Sequence, residues 1–175
     1  DLARWVSAVR TAGWEGSIHH LWWDASSIGA ALQKCIQQMG LLAAGTAAVP
    51  LTAPLTGVLA AGVGTGVLRS WSKVKSRAKR TGRDYTVERL LQLDADTMTL
   101  LGHSLGARVS YYTVEAAAEQ GLPIRDVVLL GAALRRDSSK DWERVADHLD
   151  GTLYNVHTTH DWVLRFAYKL GSLRM

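Results

Sequence analysis

Gly102-His103-Ser104-Leu105-Gly106 sets a serine between two glycines at the G-x-S-x-G spacing, and a serine so placed can do acyl-transfer chemistry. An ordinary hydroxyl is too weakly acidic to attack a carbonyl. A sharp turn between a strand and a helix exposes its Oγ and leaves room for a histidine to take the proton. The N–H of the next residue, Leu105, is then placed to hold the oxyanion of the tetrahedral intermediate. The glycines at 102 and 106 are expected to permit the turn and a close approach of strand and helix. The plainer alternative is a glycine-flanked βα turn in a non-catalytic α/β protein. The flanks favour the elbow: Thr97 to Gly102 reads as a buried strand, and Ala107 to Gln120 as a helix closed by Gly121.

An elbow serine needs an acid and a base, in the chain order serine, Asp or Glu, histidine. Asp161 is the candidate acid. It follows an expected strand at 152–158 in the run His157-Thr-Thr-His160-Asp161-Trp-Val-Leu164, and its task would be to orient the imidazole and stabilise the imidazolium. It also precedes an apolar run, as a helix N-cap does, and the two roles are compatible. Asp137 is the second choice. None of the six histidines (19, 20, 103, 148, 157 and 160) follows Asp161. His103 occupies the variable position of the elbow and points away from Oγ. His160 adjoins the acid and His157 lies on the preceding strand, so both are weak candidates, and the base is expected outside this chain. No H-E-x-x-H spacing and no second glycine-rich loop is present, so neither a metal nor a cofactor is expected. Arg108, one turn past Ser104, is expected to make a structural ion pair.

The elements that must position these residues alternate. Residues 2–13 read as an amphipathic helix, 17–23 as a strand, 28–39 as a helix, 97–102 as a strand and 107–120 as a helix. Further strands are expected at 126–131 and 152–158, with helices at 140–148 and 162–170. Strands alternating with helices imply an α/β fold with a doubly wound, mostly parallel sheet. Ser104 and Asp161 would share the C-terminal edge of four parallel strands.

The 175 residues are enough for a single domain with a sizeable core. Hydrophobic residues make up 47% and charged ones 21%, a globular balance. The lone Cys35 excludes an internal disulfide framework and a cysteine-built zinc site. No secretory signal is visible, which fits a cytoplasmic or membrane-associated protein. The net charge of +4 is local in origin. Seven basic residues and no acid lie between Arg69 and Arg83, with Trp71 as the one interleaved tryptophan, so nucleic acid is not an expected partner. Before this run, no charge occurs between Lys34 and Arg69. Pro50 and Pro54 divide the uncharged stretch into pieces near 41–49 and 55–68, each short for a bilayer crossing of about 20 residues. Residues 41–83 thus read as an apolar hairpin and a basic helix inserted before the nucleophile strand, as a lid or as a contact with an anionic membrane.

Three blocks in order, Leu101-Gly-His-Ser-Leu-Gly-Ala-Arg-Val-Ser-Tyr-Tyr112, Asp126-Val-Val-Leu-Leu-Gly-Ala-Ala133 and Asn155-Val-His-Thr-Thr-His-Asp-Trp-Val-Leu164, resemble the transmembrane-and-coiled-coil-domain family of α/β-hydrolases. The resemblance covers about residues 14–170 and includes the apolar insert. It implies a serine-hydrolase fold, with Ser104 as nucleophile and Asp161 as acid, and does not supply the substrate; the elbow with its downstream acid reads as a serine hydrolase acting on an ester, a lipid-like one. It also implies a sheet incomplete at both ends. A strand donating the second oxyanion N–H would precede Asp1 and sit between strands 17–23 and 97–102, and a final strand with a histidine loop would follow Met175.

Overall fold

The computed structural model describes residues 2–23, 63–134 and 140–158. Its centre is a three-stranded parallel sheet of β1 (Met98–His103), β2 (Ile124–Leu130) and β3 (Leu153–Val156), in that spatial order. The register runs Leu101↔Val128↔Tyr154 and His103↔Leu130↔Val156, so all three strands finish at one edge. Parallel neighbours need crossovers. Helix α4 (Leu105–Ala117) joins β1 to β2, and the short α5 (Trp142–Asp147) lies between β2 and β3. The α/β expectation therefore holds for a small parallel sheet with helices.

An amphipathic helix packed on one side buries a single stripe, and α4 does not fit that description. It is buried far more widely, through Ala107, Val109, Ser110, Tyr111, Tyr112, Thr113 and Val114 among others, because it is sandwiched. Its inner face meets Val127 and Leu129 of the sheet. Its outer face carries a second cluster, Leu105 and Val109 against Val74, Ala78 and Ala133. The outer layer is one continuous helical stretch made of α2 (Val63–Arg80), a π turn (Thr81–Thr86) and α3 (Val87–Leu90). The basic run lies on α2 and the π turn. It is a solvated face only in part: Lys73 and Arg80 are exposed, while Lys75, Arg77 and Lys79 are half-buried.

At the π turn the two helices nearly touch. A Cβ added at Gly82 would lie 2.4 Å from the Val109 carbonyl oxygen, so only glycine fits. Two threonines satisfy backbone groups there. The Thr86 hydroxyl donates to the Thr81 carbonyl (2.8 Å), and Thr113 Oγ1 lies 3.2 Å from the Gly82 carbonyl and 3.0 Å from that of Val109. A widened turn leaves carbonyls without helical partners, and buried carbonyls need some partner.

The strand expected at 17–23 is not formed. Helix α1 (Leu2–Thr11) ends at Gly13, and Arg10 Nη1 donates to the carbonyls of Trp14 and Gly16 (2.8 and 2.9 Å), which holds the following chain locally. Residues 17–23 pair with no strand among the described residues. Trp22 is 78% exposed, while Trp23 packs inward, on the Leu105–Val109 cluster. Alternating aromatic and aliphatic residues permit a strand, but a strand exists only where another backbone completes its ladder. The helices expected at 28–39 and 162–170 and the apolar piece at 41–49 lie outside the described residues. So does 55–62, whereas 63–68 form the first turns of α2. Among the described residues no helix is long and apolar enough to cross a membrane.

Candidate active site

Ser104 is the single described non-glycine residue with positive φ, at φ 55° and ψ −112°. The Cβ of an L-residue is disfavoured there, so surrounding structure must impose the geometry. Two backbone hydrogen bonds do so. The Ser104 N–H donates to the Leu130 carbonyl (2.8 Å), and the Ala133 N–H donates to the Ser104 carbonyl (3.0 Å). Both partners belong to the end of β2 and the loop after it, so the neighbouring strand clamps the turn. The result is a strand–turn–helix in which β1 stops at His103 and α4 starts at Leu105, with Ser104 half-buried at the corner.

The two glycines of the motif have different roles. A Cβ at Gly102 would fall 2.6 Å from the Ala107 nitrogen and from the backbone of Gly106, so this position closes the strand onto the helix. At Gly106 an added Cβ would meet no described atom within 4 Å. The close approach expected of both glycines therefore rests on Gly102. Leu105 is buried and is the first residue of α4. Its N–H is among the first-turn donors that a helix leaves without an internal acceptor, on the side where the dipole favours negative charge.

Arg108 is structural, and among the described residues it acts through hydrogen bonds rather than an ion pair. Its Nε donates to the Lys75 carbonyl (3.1 Å), Nη1 to the Ala133 carbonyl (3.4 Å) and Nη2 to the Tyr112 hydroxyl (3.3 Å). It thus ties α2, α4 and the loop after β2 together behind the elbow. That loop, Gly131 to Leu134, was not singled out as part of the site by spacing. Its signal was Gly131, whose φ of 51° turns the chain back toward Ser104. His103 is exposed beside the elbow, with its ring 6.0 Å from that of Trp5 on α1.

His157 follows β3 at the same sheet edge and is exposed. Its strand is second from β1, which sets its backbone about 10 Å from that of Ser104 at the usual strand spacing. Asp161, His160 and Asp137 lie outside the described residues. Beneath the site, Tyr111 is fully buried with its ring edge-on to Tyr112 and Trp142. Burial, helped by the nearby Glu115 carboxylate, pushes its phenol up to about 12. The Asp141 backbone lies near enough to pull the other way, but the hydroxyl has no partner in hydrogen-bonding geometry.

The profile of a family described as "Protein of unknown function (DUF726)" matches residues 17–175. An uncharacterized membrane protein of Caenorhabditis elegans is 35% identical over 103 residues, covering 57% of this chain and 16% of its own length. The transmembrane and coiled-coil domain-containing protein STS1 of Oryza sativa subsp. japonica is 32% identical over 108 residues, covering 59% and 16%. An uncharacterized membrane protein of Schizosaccharomyces pombe is 33% identical over 110 residues, covering 58% and 13%. The chain thus matches less than a fifth of the length of these curated relatives. No solved structure matches it.

Proposed function

The chain belongs to the DUF726 family, and from that premise we propose that it carries the nucleophile of a membrane-associated serine hydrolase of the α/β-hydrolase type, acting on a lipid-like ester. The observation that carries this reading is the backbone of Ser104. A serine held at φ 55° between a parallel strand and a helix is strained, and such strain persists where a side chain must be presented at one place.

In the proposed reaction Ser104 Oγ attacks the ester carbonyl as its proton passes to an imidazole. The Leu105 N–H donates to the developing oxyanion. The C–O bond to the alcohol breaks, and the imidazolium returns the proton to the leaving oxygen. Water, activated by the same base, then releases the acyl group and regenerates the serine. Asp161 orients the imidazole. The base is a histidine beyond this chain; His157 and His160 are the weaker alternatives, and His157 would have to bridge two strand spacings.

Reaction of the full-length protein with a fluorophosphonate probe tests the assignment. Ser104 should be labelled, and Ser104→Ala should abolish labelling. Labelling that survives in Ser104→Ala would sink the nucleophile.

A second reading, a membrane-binding module on the same scaffold, is favoured by the uncharged 35–68 stretch with its basic helix and by relatives named as membrane proteins. Anionic headgroups would attract the basic helix while the apolar stretch enters the interface. Flotation with anionic and neutral vesicles separates the readings. Lipid binding with no probe labelling favours the module, and binding indifferent to lipid charge removes its electrostatic basis.

A further inference from the structure

Tyr112 lies two turns beyond Ser104 on α4 and is buried, yet four cationic side chains converge on its ring. The guanidinium carbon of Arg108 is 5.0 Å from the ring centroid, Lys79 Nζ 5.1 Å, Lys140 Nζ 5.3 Å and the guanidinium carbon of Arg83 6.0 Å. They arrive from separate places in the fold: Lys79 from α2, Arg83 from the π turn, Arg108 from α4 and Lys140 from just before α5. One ring attracts each cation only weakly. Like charges gathered within a Debye length repel, and partial burial reduces the screening.

Neutralisation within the described residues is incomplete. Glu115 takes Arg83, at 2.7 Å to Nη2 and 2.9 Å to Nε. Lys79 and Arg108 meet no carboxylate among the described residues. The hydrogen bonds of Arg108 go to two carbonyls and a phenol, which fix the guanidinium without cancelling its charge. Those three bonds leave two of its five N–H groups for another acceptor. Arg108 is fixed by neutral groups, Lys79, Arg108 and Lys140 are half-buried with Arg83 exposed beside them, and the charges of Lys79 and Arg108 are not cancelled by a described carboxylate. That is the preorganisation an anion site requires.

We propose that Lys79, Arg83, Arg108 and Lys140 form a cradle for a phosphate monoester. Such a group carries about −1.5 to −2 charges at neutral pH and three acceptor oxygens, which suits a guanidinium fork and an ammonium together better than a single carboxylate would. The cradle centres on Tyr112, about 12 Å along the helix axis from Ser104. It is a site separate from the elbow, and its existence does not depend on Ser104 being a nucleophile. The phosphate belongs either to a lipid headgroup or to a soluble metabolite, and the two are separable by experiment.

The full chain is titrated with glycerol 3-phosphate. In parallel it is floated with phosphatidylcholine vesicles carrying phosphatidic acid or, at equal surface charge, phosphatidylglycerol. Binding is expected in at least one arm: the soluble arm alone identifies a metabolite, and preference for phosphatidic acid vesicles identifies a headgroup. Lys79→Gln should weaken binding by roughly tenfold or more, as loss of a charge-assisted bond implies, and Lys79→Arg should restore it. Lys73→Gln, which removes an exposed charge from the same helix, should cost less than about twofold. Absence of binding in both arms would overturn the proposal. So would equal losses for Lys79→Gln and Lys73→Gln, or vesicle binding indifferent to the headgroup with no binding of glycerol 3-phosphate, since each signals diffuse attraction rather than a built site.

Discussion

A Cβ at Gly102 has only backbone to meet, and backbone cannot swing aside as a flexible side chain can. Gly102→Ala should therefore cost about 1–3 kcal/mol, the usual penalty of overpacking, read as a lower midpoint in urea. Gly106→Ala should be neutral or stabilising by up to about 1 kcal/mol, since it replaces a helical glycine where no described atom obstructs it. Equal losses at the two positions would contradict this division. Tyr111 makes a different prediction. Its phenol is raised from 10.0 to about 12 in the folded chain, so the unfolded chain releases that proton first as pH climbs. Stability should be unaffected below pH 10 and fall between 10 and 12, by on the order of 2 kcal/mol. Tyr111→Phe should flatten that alkaline fall. At neutral pH it should lose no stability, because the hydroxyl it removes is buried without a partner. Urea midpoints of the two chains across this pH range check both statements.

At the scale of elements, the contact between α4 and the outer helical layer depends on Gly82 and on Thr113, whose Oγ1 lies beside both the Gly82 and Val109 carbonyls. Thr113→Val should cost about 1 kcal/mol for the lost hydrogen bonding. Gly82→Ala should cost more, because the new methyl drives the two helices apart. A Gly82→Ala chain as stable as the parent would show that the contact is looser than described. This contact also marks a boundary of what local sequence can reveal. The elbow was legible because a tight turn is specified by five neighbouring residues. The π turn was not, since a widened helical turn is selected by the helix packed against it. Residues 17–23 show the same limit in reverse: their residue types suit a strand, but pairing depends on a distant backbone. Helix α4 was legible as a helix but not in its burial, because its outer layer is supplied by residues some thirty positions earlier.

For the whole molecule, one face of the sheet is covered by α4, and the opposite face is open among the described residues. Leu101, Tyr154 and Val156 are 43%, 51% and 53% exposed on that side, aligned across the strands by the register. Parallel sheets ordinarily bury both faces, and exposed apolar patches of this kind bind apolar partners. The chain alone should bind an apolar fluorescent dye. Replacing Tyr154 and Val156 with threonine should reduce that binding while changing stability by no more than about 1 kcal/mol, since little burial is lost. Dye binding unchanged by the pair would assign the apolar surface to another part of the chain. That the strands would be parallel and finish at a shared edge could be anticipated from alternating elements. Which face is covered could not, because it depends on the path the chain takes between strands.

The backbone of Ser104 has a consequence on a longer timescale. A residue at φ 55° and ψ −112° is less stable as serine than as glycine, which adopts such angles without a Cβ clash. Ser104→Gly should therefore raise stability, by about 0.5–1 kcal/mol, while removing the hydroxyl. In a lineage that needs the hydroxyl, selection opposes that substitution. In a lineage that has lost the need, the stability gain favours it. The residue found at this one position across genomes thus becomes a record of whether each descendant still uses the hydroxyl, readable without assaying any of them.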